Sequence, residues 1–218
     1  MNSAVIVAGG SGSRFGGEIP KQFIKIDGQE ILSFSVNTFL KHPKIEEVII
    51  ASHPEWVEHV SKKYPDCKVI EGGRLRQDSS LEGVRAAADE SENILLHDAA
   101  RPFVSKKIIS DCLSALGNAN GSAPVIKISN SLLQLVQGKA IYVDRSNIKE
   151  VQTPQCFQKE LVLRALTAGI EGTDELGMIL RLFPKSKLGL VSGHENNFKI
   201  TTQLDLEMAT HYLKSLVS

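Results

Sequence analysis

The chain reads as an α/β protein built on an open, mostly parallel, doubly wound sheet, and three observations predict it. Short apolar runs recur in which the hydrophobic residues are consecutive rather than alternating, the pattern of strands covered on both faces. Between them lie stretches with apolar residues at i, i+3, i+4 and i+7, the spacing of amphipathic helices. The two kinds of segment alternate along the 218 residues, the order that crossover connections in a parallel sheet require.

Strands are expected over residues 4–7, 48–51, 68–70, 94–96, 123–128 and 188–191. Leu32, Val36, Phe39 and Leu40 form one helical stripe, Leu81, Val84 and Ala88 a second, and Leu161, Val162, Ala165 and Leu166 a third. Asp78 or Ser79 is expected to cap the second helix, and Thr173 or Asp174 to open a later one. Thr202 and Asp205 spell a capping box before a last helix along Leu206, Ala209, Leu213 and Leu216, which puts Lys199 just ahead of a helix N-terminus. Residues 129–152 break the alternation: Leu133, Leu135 and Val136, then Gln-Gly-Lys, then Ile141 and Val143 read as a hairpin with Gly138 in its turn. It projects from a single domain spanning 1–218, either as a surface flap or as a dimerisation arm.

Composition narrows the chemistry. A hydrophobic content of 42% fills a core for one domain of this length. Basic and acidic residues number 25 each, so no bulk field exists to hold nucleic acid or an anionic membrane, and phosphate chemistry has to use individually placed cations. Cys67, Cys112 and Cys156 are an odd set without a CxxC pair, which fits neither a disulfide framework nor a zinc site. With no basic leader and no apolar run near the ~18 residues of a membrane helix, the expectation is a soluble, cytoplasmic protein.

Ligands of doubly wound sheets bind at the carboxyl ends of the strands. The first strand runs into "AGGSGSRFGGEIPKQF", which lacks the GK[ST] of a Walker loop and has Phe15 where a dinucleotide fingerprint needs its third glycine. Its glycines alone fit a tight turn. With Arg14 and Lys21 included, however, Ala8, Gly9, Gly10 and Gly12 offer approachable backbone N–H groups beside two cations, a site for a triphosphate. After the strand at 94–96 comes "HDAARPF". There Asp98 faces a magnesium-bound phosphate or a ribose hydroxyl and Arg101 a phosphate, or else Asp98 caps the next helix with Arg101 paired to it. His97 reads as structural. In "EGGRLRQDSS", Gly73 permits close backbone approach and small polar groups read the edge of a base. In "QTPQCF", Cys156 has no positioned histidine and reads as packing, whereas the Thr153 hydroxyl is free for a substrate.

Together with "YVDRSNIKEVQTPQCF", "TDE" and "NNFKITTQLDL", these stretches resemble, in order and over nearly the whole chain, the 2-C-methyl-D-erythritol 4-phosphate cytidylyltransferase family, whose near relatives are the ribitol-5-phosphate cytidylyltransferases. The resemblance implies a Rossmann-like nucleotidyltransferase fold and a homodimer joined through the hairpin arm. It also implies a reaction of CTP with a sugar-alcohol phosphate that gives a CDP-alcohol and pyrophosphate in isoprenoid biosynthesis. By the same resemblance Arg14 and Lys21 serve the transition state at the α-phosphate, and Arg145 and Lys199 position the acceptor phosphate, Arg145 from across the dimer. Gly73, Arg76 and Ser79 fall in the cytosine pocket, and Asp98, Ala99, Arg101 and Thr153 line the nucleotide and acceptor sites. Mg²⁺ is expected as cofactor, with Asp98 as its nearest carboxylate. Two departures bear on the acceptor: Asn130-Ser131 stands where the family has Asp-Thr, and Gly9 where the erythritol enzymes more often have alanine. The competing readings are a ribitol-phosphate or other alditol-phosphate enzyme and a non-catalytic nucleotide-binding protein.

Overall fold

The reason the strands carry consecutive apolar residues is plain in the computed structural model, which describes residues 1–10, 19–170 and 172–217, the last as backbone. In chain order the elements are β1 (Asn2–Ala8), β2 (Lys25–Ile26), β3 (Gln29–Glu30), α1 (Ile31–Leu40), β4 (Glu47–Ser52), α2 (Val57–Lys63), β5 (Lys68–Glu71), α3 (Arg76–Ala86), β6 (Asn93–Asp98) and α4 (Lys106–Leu116). They continue with β7 (Gly121–Lys127), β8 (Leu132–Val136), β9 (Lys139–Val143), β10 (Lys149–Val151), β11 (Gln155–Gln158), α5 (Lys159–Thr167), α6 (Glu175–Leu182), β12 (Leu188–Ser192) and α7 (Gln203–Val217). All six strands and the three helices read from the sequence are among them, with Ile128 falling past the end of β7 and Ala88 past the end of α3.

β5, β4, β1 and β6 lie side by side and parallel, with Val7 beside Asp98 in the register of β1 and β6. β11 continues the sheet antiparallel to β6, and β7 follows, with β12 parallel on its far edge and β10 antiparallel to it. Successive side chains of one strand feed opposite cores. Ala4, Ile6, Val48, Ile50 and Leu95 pack with Leu32, Val36 and Phe39 of α1 and Ile109 and Cys112 of α4. Val5, Ile49, Ile94 and Leu96 pack instead with Val84 of α3, Val162 and Ala165 of α5 and Ile179 of α6. Each fully buried aliphatic side chain contributes about 1.5–3 kcal/mol, so both faces have to be apolar.

α3 begins at Arg76, earlier than an Asp78 or Ser79 cap would place it, because Asp78 sits in the first turn and its carboxylate accepts the Leu75 N–H at 3.0 Å. Asp174 caps α6, accepting from Gly177 N–H at 2.8 Å. Ser105, not Asp98, caps α4. The expected capping box of α7 is present, with Thr202 N–H donating to Asp205 Oδ2 at 2.7 Å and Asp205 N–H to Thr202 Oγ1 at 3.3 Å.

α7 docks through Ala209 on Ile26, Ile31 and Ile200, with Phe34, Phe103 and Phe198 around them. This fixes the segment that carries Lys199. The expected hairpin is β8 and β9, paired from Leu132 with Val143 to Val136 with Lys139. Its turn residues Gln137 and Gly138 have φ of 48° and 78°, the left-handed pair of a tight two-residue hairpin turn.

Candidate active site

The carboxyl ends of β1 and β6 meet beside the start of α3. Ala99 N–H donates to the Val7 carbonyl at 3.1 Å, which extends the pairing of the two strands past the sheet and sets the loop after β1 against the turn 98–101. Arg14 and Gly12 lie outside the described residues; Ala8, Gly9, Gly10 and Lys21 lie within them. Gln22, 3% exposed, donates its side-chain amide to the carbonyls of Ala8 at 2.7 Å and Gly10 at 2.9 Å. It therefore ties the glycine loop to the short helical turn Lys21–Phe23, which Pro20 precedes. Nothing in Pro20-Lys21-Gln22-Phe23 sets Gln22 apart in sequence from a solvated polar residue beside a lysine.

Gly9 faces Gly72, Gly73 and Ser79. A Cβ at Gly9 would meet Ser79 Oγ at 2.6 Å, and one at Gly73 would meet the Asp78 Cβ at 2.2 Å, so backbone lines this wall because side chains have no room there. Ser79, 1% exposed, donates to the carbonyls of Leu75 at 3.2 Å or Gly73 at 3.3 Å.

Asp98 is the hub of the charges. Arg76 Nε donates to Oδ1 at 2.9 Å, while Lys199 Nζ lies 3.0 Å and Arg101 Nε 3.5 Å from Oδ2. Burial alone would raise the Asp98 carboxyl, but Arg76, Lys199 and Arg101 outweigh it and hold it well below the usual carboxylate range. Arg76, expected in a cytosine pocket, turns its guanidinium to two acids: Nη1 also donates to both oxygens of Glu175, at 2.7 and 2.8 Å. Arg101 spends Nη1 on the Asn197 carbonyl at 2.8 Å, and Ile200 N–H donates to the Ala100 carbonyl at 2.8 Å, so the turn 98–101 and the Lys199 segment hold each other in place.

Thr153 departs from its expected freedom. His97 Nε2 lies 3.0 Å from the Arg101 carbonyl, which only accepts, so Nε2 carries the ring proton and Nδ1 is the acceptor. The Thr153 hydroxyl therefore donates to Nδ1 at 3.0 Å and accepts the Asp98 N–H at 3.1 Å. Its proton is committed inside the fold. Burial pushes the His97 pKa down to about 4 in spite of the bond to the Arg101 carbonyl, consistent with a neutral, structural ring.

Arg145 opens the short helical turn Arg145–Asn147 after the arm; it is exposed and donates to the Ser129 carbonyl at the arm's other foot. Asn130 and Ser131 are exposed just before β8. Cys156 is fully buried beside Cys112, where burial raises its thiol pKa, as packing requires.

Among the described residues no group of three or more His, Cys, Asp and Glu side chains forms a metal cage. The Asp98 carboxylate does not fit a divalent ion as it stands, because Arg76 takes Oδ1 and Lys199 and Arg101 face Oδ2; an ion arriving on a polyphosphate would take its ligands from phosphate and water. Likewise, no described helix is long and apolar enough to cross a membrane.

Residues 2–215 match the family model of 2-C-methyl-D-erythritol 4-phosphate cytidylyltransferase. The 2-C-methyl-D-erythritol 4-phosphate cytidylyltransferase of Thermotoga neapolitana is 35% identical over 217 residues, covering 96% of this chain and 95% of its own. The bifunctional ribulose 5-phosphate reductase/CDP-ribitol pyrophosphorylase Bcs1 of Haemophilus influenzae is 34% identical over 98% of this chain, which spans 48% of that longer protein. Among solved structures, the 4-diphosphocytidyl-2C-methyl-D-erythritol synthase of Anaerococcus prevotii superposes with a TM-score of 0.88 over 98% of this chain and 96% of its own; at 24% identity it shows the shared fold.

Proposed function

The chain belongs to the 2-C-methyl-D-erythritol 4-phosphate cytidylyltransferase family, and from that premise we propose that it joins CTP to 2-C-methyl-D-erythritol 4-phosphate, releasing pyrophosphate. The observation that supports this reading best is the ring of Arg76, Arg101 and Lys199 around Asp98, at the strand ends where the glycine loop also arrives.

In this mechanism the acceptor phosphate attacks the α-phosphorus in line and pyrophosphate leaves. Both partners are anions, so the protein's work is to bring them together and to neutralise the charge that builds up at the phosphorus. Lys21, with Arg14, takes that position; no covalent nucleophile on the protein is needed. Lys199 and Arg145 hold the acceptor phosphate. The base lies on the backbone at Gly73, which buried Gly9 and Ser79 back from within, and the ribose lies near Asp98 and Ala99. A magnesium ion held by the triphosphate and water would supply further charge neutralisation, with Asp98 left to its pairing with Arg76, Lys199 and Arg101. Arg101 and Thr153 shape the turn that carries Asp98.

The arm supports a homodimer. Leu133, Leu135, Ile141 and Tyr142 are 63, 74, 50 and 68% exposed on an isolated two-stranded hairpin, a structure marginal in water until another surface covers it. With Arg145 at its foot, the arm carries that guanidinium into the partner's site. We place this single-domain enzyme in the cytoplasm.

A second reading, with ribitol 5-phosphate as acceptor, is favoured by Asn130-Ser131 at the foot of the arm and by the similarity to the CDP-ribitol enzyme. Pyrophosphate release from CTP with each acceptor in turn separates the two.

A further inference from the structure

Glu175 is 1% exposed, at the first position of α6, and the mechanism above makes no use of it. A carboxylate is costly to bury unless it is paired and hydrogen-bonded. Here it has Arg76 Nη1 on both oxygens, at 2.7 and 2.8 Å, and Ser80 Oγ donating to Oε1 at 2.7 Å. The other arm of the same guanidinium, Nε, reaches Asp98 Oδ1 at 2.9 Å. Three elements are thereby joined through one planar fork: α6 through Glu175, α3 through Arg76 and β6 through Asp98.

We propose that Glu175 is a positioning residue for cytidylyl transfer, acting through Arg76 on the Asp98 carboxylate. This rests on the reading of the site given above. The fork is rigid, so the end that grips Glu175 decides where the other end meets Asp98. With Arg76 held to Oδ1, Oδ2 is left turned toward Lys199 and Arg101. Glu175 also sets the charge. Arg76, Arg101 and Lys199 against Asp98 and Glu175 leave one net positive charge, and without Glu175 there would be two, with Arg76 Nη1 released to reach a bound phosphate. Glu175 is buried behind Ser80 and Arg76, so it faces no substrate itself.

The test is a double-mutant cycle with a spectroscopic arm. Glu175→Gln keeps the shape and removes the charge; kcat should fall about tenfold, with the acceptor KM within about threefold. In an Asp98→Asn background the same change should cost less than about twofold, because its target is already gone. Arg76→Lys, which keeps a cation but cannot bridge two carboxylates, should behave the same way and carries the test if Gln at 175 fails to fold. Independently of turnover, the Arg76 Nε–H resonance, assigned by its loss in Arg76→Lys, should be slowly exchanging in the parent protein and collapse in Glu175→Gln. Fully multiplicative losses in the Asp98→Asn background, or an Arg76 Nε–H signal that Glu175→Gln leaves unchanged, would overturn the proposal. Because that signal needs no substrate, its outcome stands apart from whether the chain turns over CTP.

Discussion

Lys199 Nζ stands 3.0 Å from Asp98 Oδ2, on the oxygen opposite the one Arg76 takes, so a cation assigned to the acceptor phosphate also neutralises the carboxylate assigned to the nucleotide side. In the proposed site that ion pair lies where the acceptor and nucleotide halves meet. Because Arg76 and Arg101 still hold Asp98 when Lys199 is lost, Lys199→Gln is expected to raise the acceptor KM about tenfold or more while the CTP KM moves less than about threefold. Lys21→Ala should instead lower kcat about a hundredfold, since a preorganised cation lost at a developing charge is worth about 3 kcal/mol. Steady-state kinetics of the two variants check this division. A Lys21→Ala enzyme with unchanged kcat and a raised CTP KM would take Lys21 out of the transition state.

The narrow wall at Gly9 makes a different kind of prediction. A methyl group there meets Ser79 Oγ at 2.6 Å, so Gly9→Ala should cost about 1–3 kcal/mol of stability by overpacking and raise the CTP KM several-fold. Combined with Ser79→Ala, which removes the obstructing oxygen, the stability cost should shrink to within about 0.5 kcal/mol of the Ser79→Ala protein alone. Denaturant titrations of the four proteins measure this directly; strict additivity would show that Gly9 and Ser79 do not compete for the same space.

Acid should loosen the turn that carries Asp98. In the unfolded chain His97 takes up a proton near pH 6.5, but in the fold not until about 4, so stability present above 6.5 is lost as the pH falls between these values. The loss is roughly 3 kcal/mol. Asp98, held low, adds a further loss below the ordinary carboxylate pKa of 3.8. Thermal melts from pH 7 to 4 should show the decline, and His97→Asn should flatten it over that range. An equally steep decline in His97→Asn would assign the acid sensitivity elsewhere.

If Arg145 serves the partner's site, Arg145→Ala and Lys21→Ala proteins, each nearly inactive alone, should regain about a quarter of the parent activity when dissociated and mixed, since half of the random dimers hold one intact site. Mixing that restores nothing would confine Arg145 to its own subunit.

The layered core was legible because it rests on local signals. Strands such as Val48–Ile49–Ile50–Ala51 are apolar at every position, and the Thr202 and Asp205 box announces α7 within four residues. β10 and β11 escaped because one is three residues long and the other carries glutamine at both ends. In the site, Asp98, Arg101 and Lys199 were legible as charged residues at strand and helix ends, and the structure brings them together. Arg76 was placed in the cytosine pocket by the family resemblance alone, and nothing near it in sequence announces its ion pair with Glu175, which lies 99 residues away. Thr153 was read as available for the same reason: its partners, His97 and the Asp98 N–H, lie 56 and 55 residues back along the chain. Spacing reveals which groups reach a strand end; which of them are consumed by each other depends on pairings that only the folded sheet creates.

The most direct test of the account is pyrophosphate release from CTP with 2-C-methyl-D-erythritol 4-phosphate or ribitol 5-phosphate as acceptor, with ATP, GTP and UTP as controls. The expected result is release with CTP and 2-C-methyl-D-erythritol 4-phosphate at a kcat/KM at least about tenfold above that with ribitol 5-phosphate, and little with the other nucleotides. Release that is faster with ribitol 5-phosphate, or CTP binding with no release for either acceptor, would contradict it.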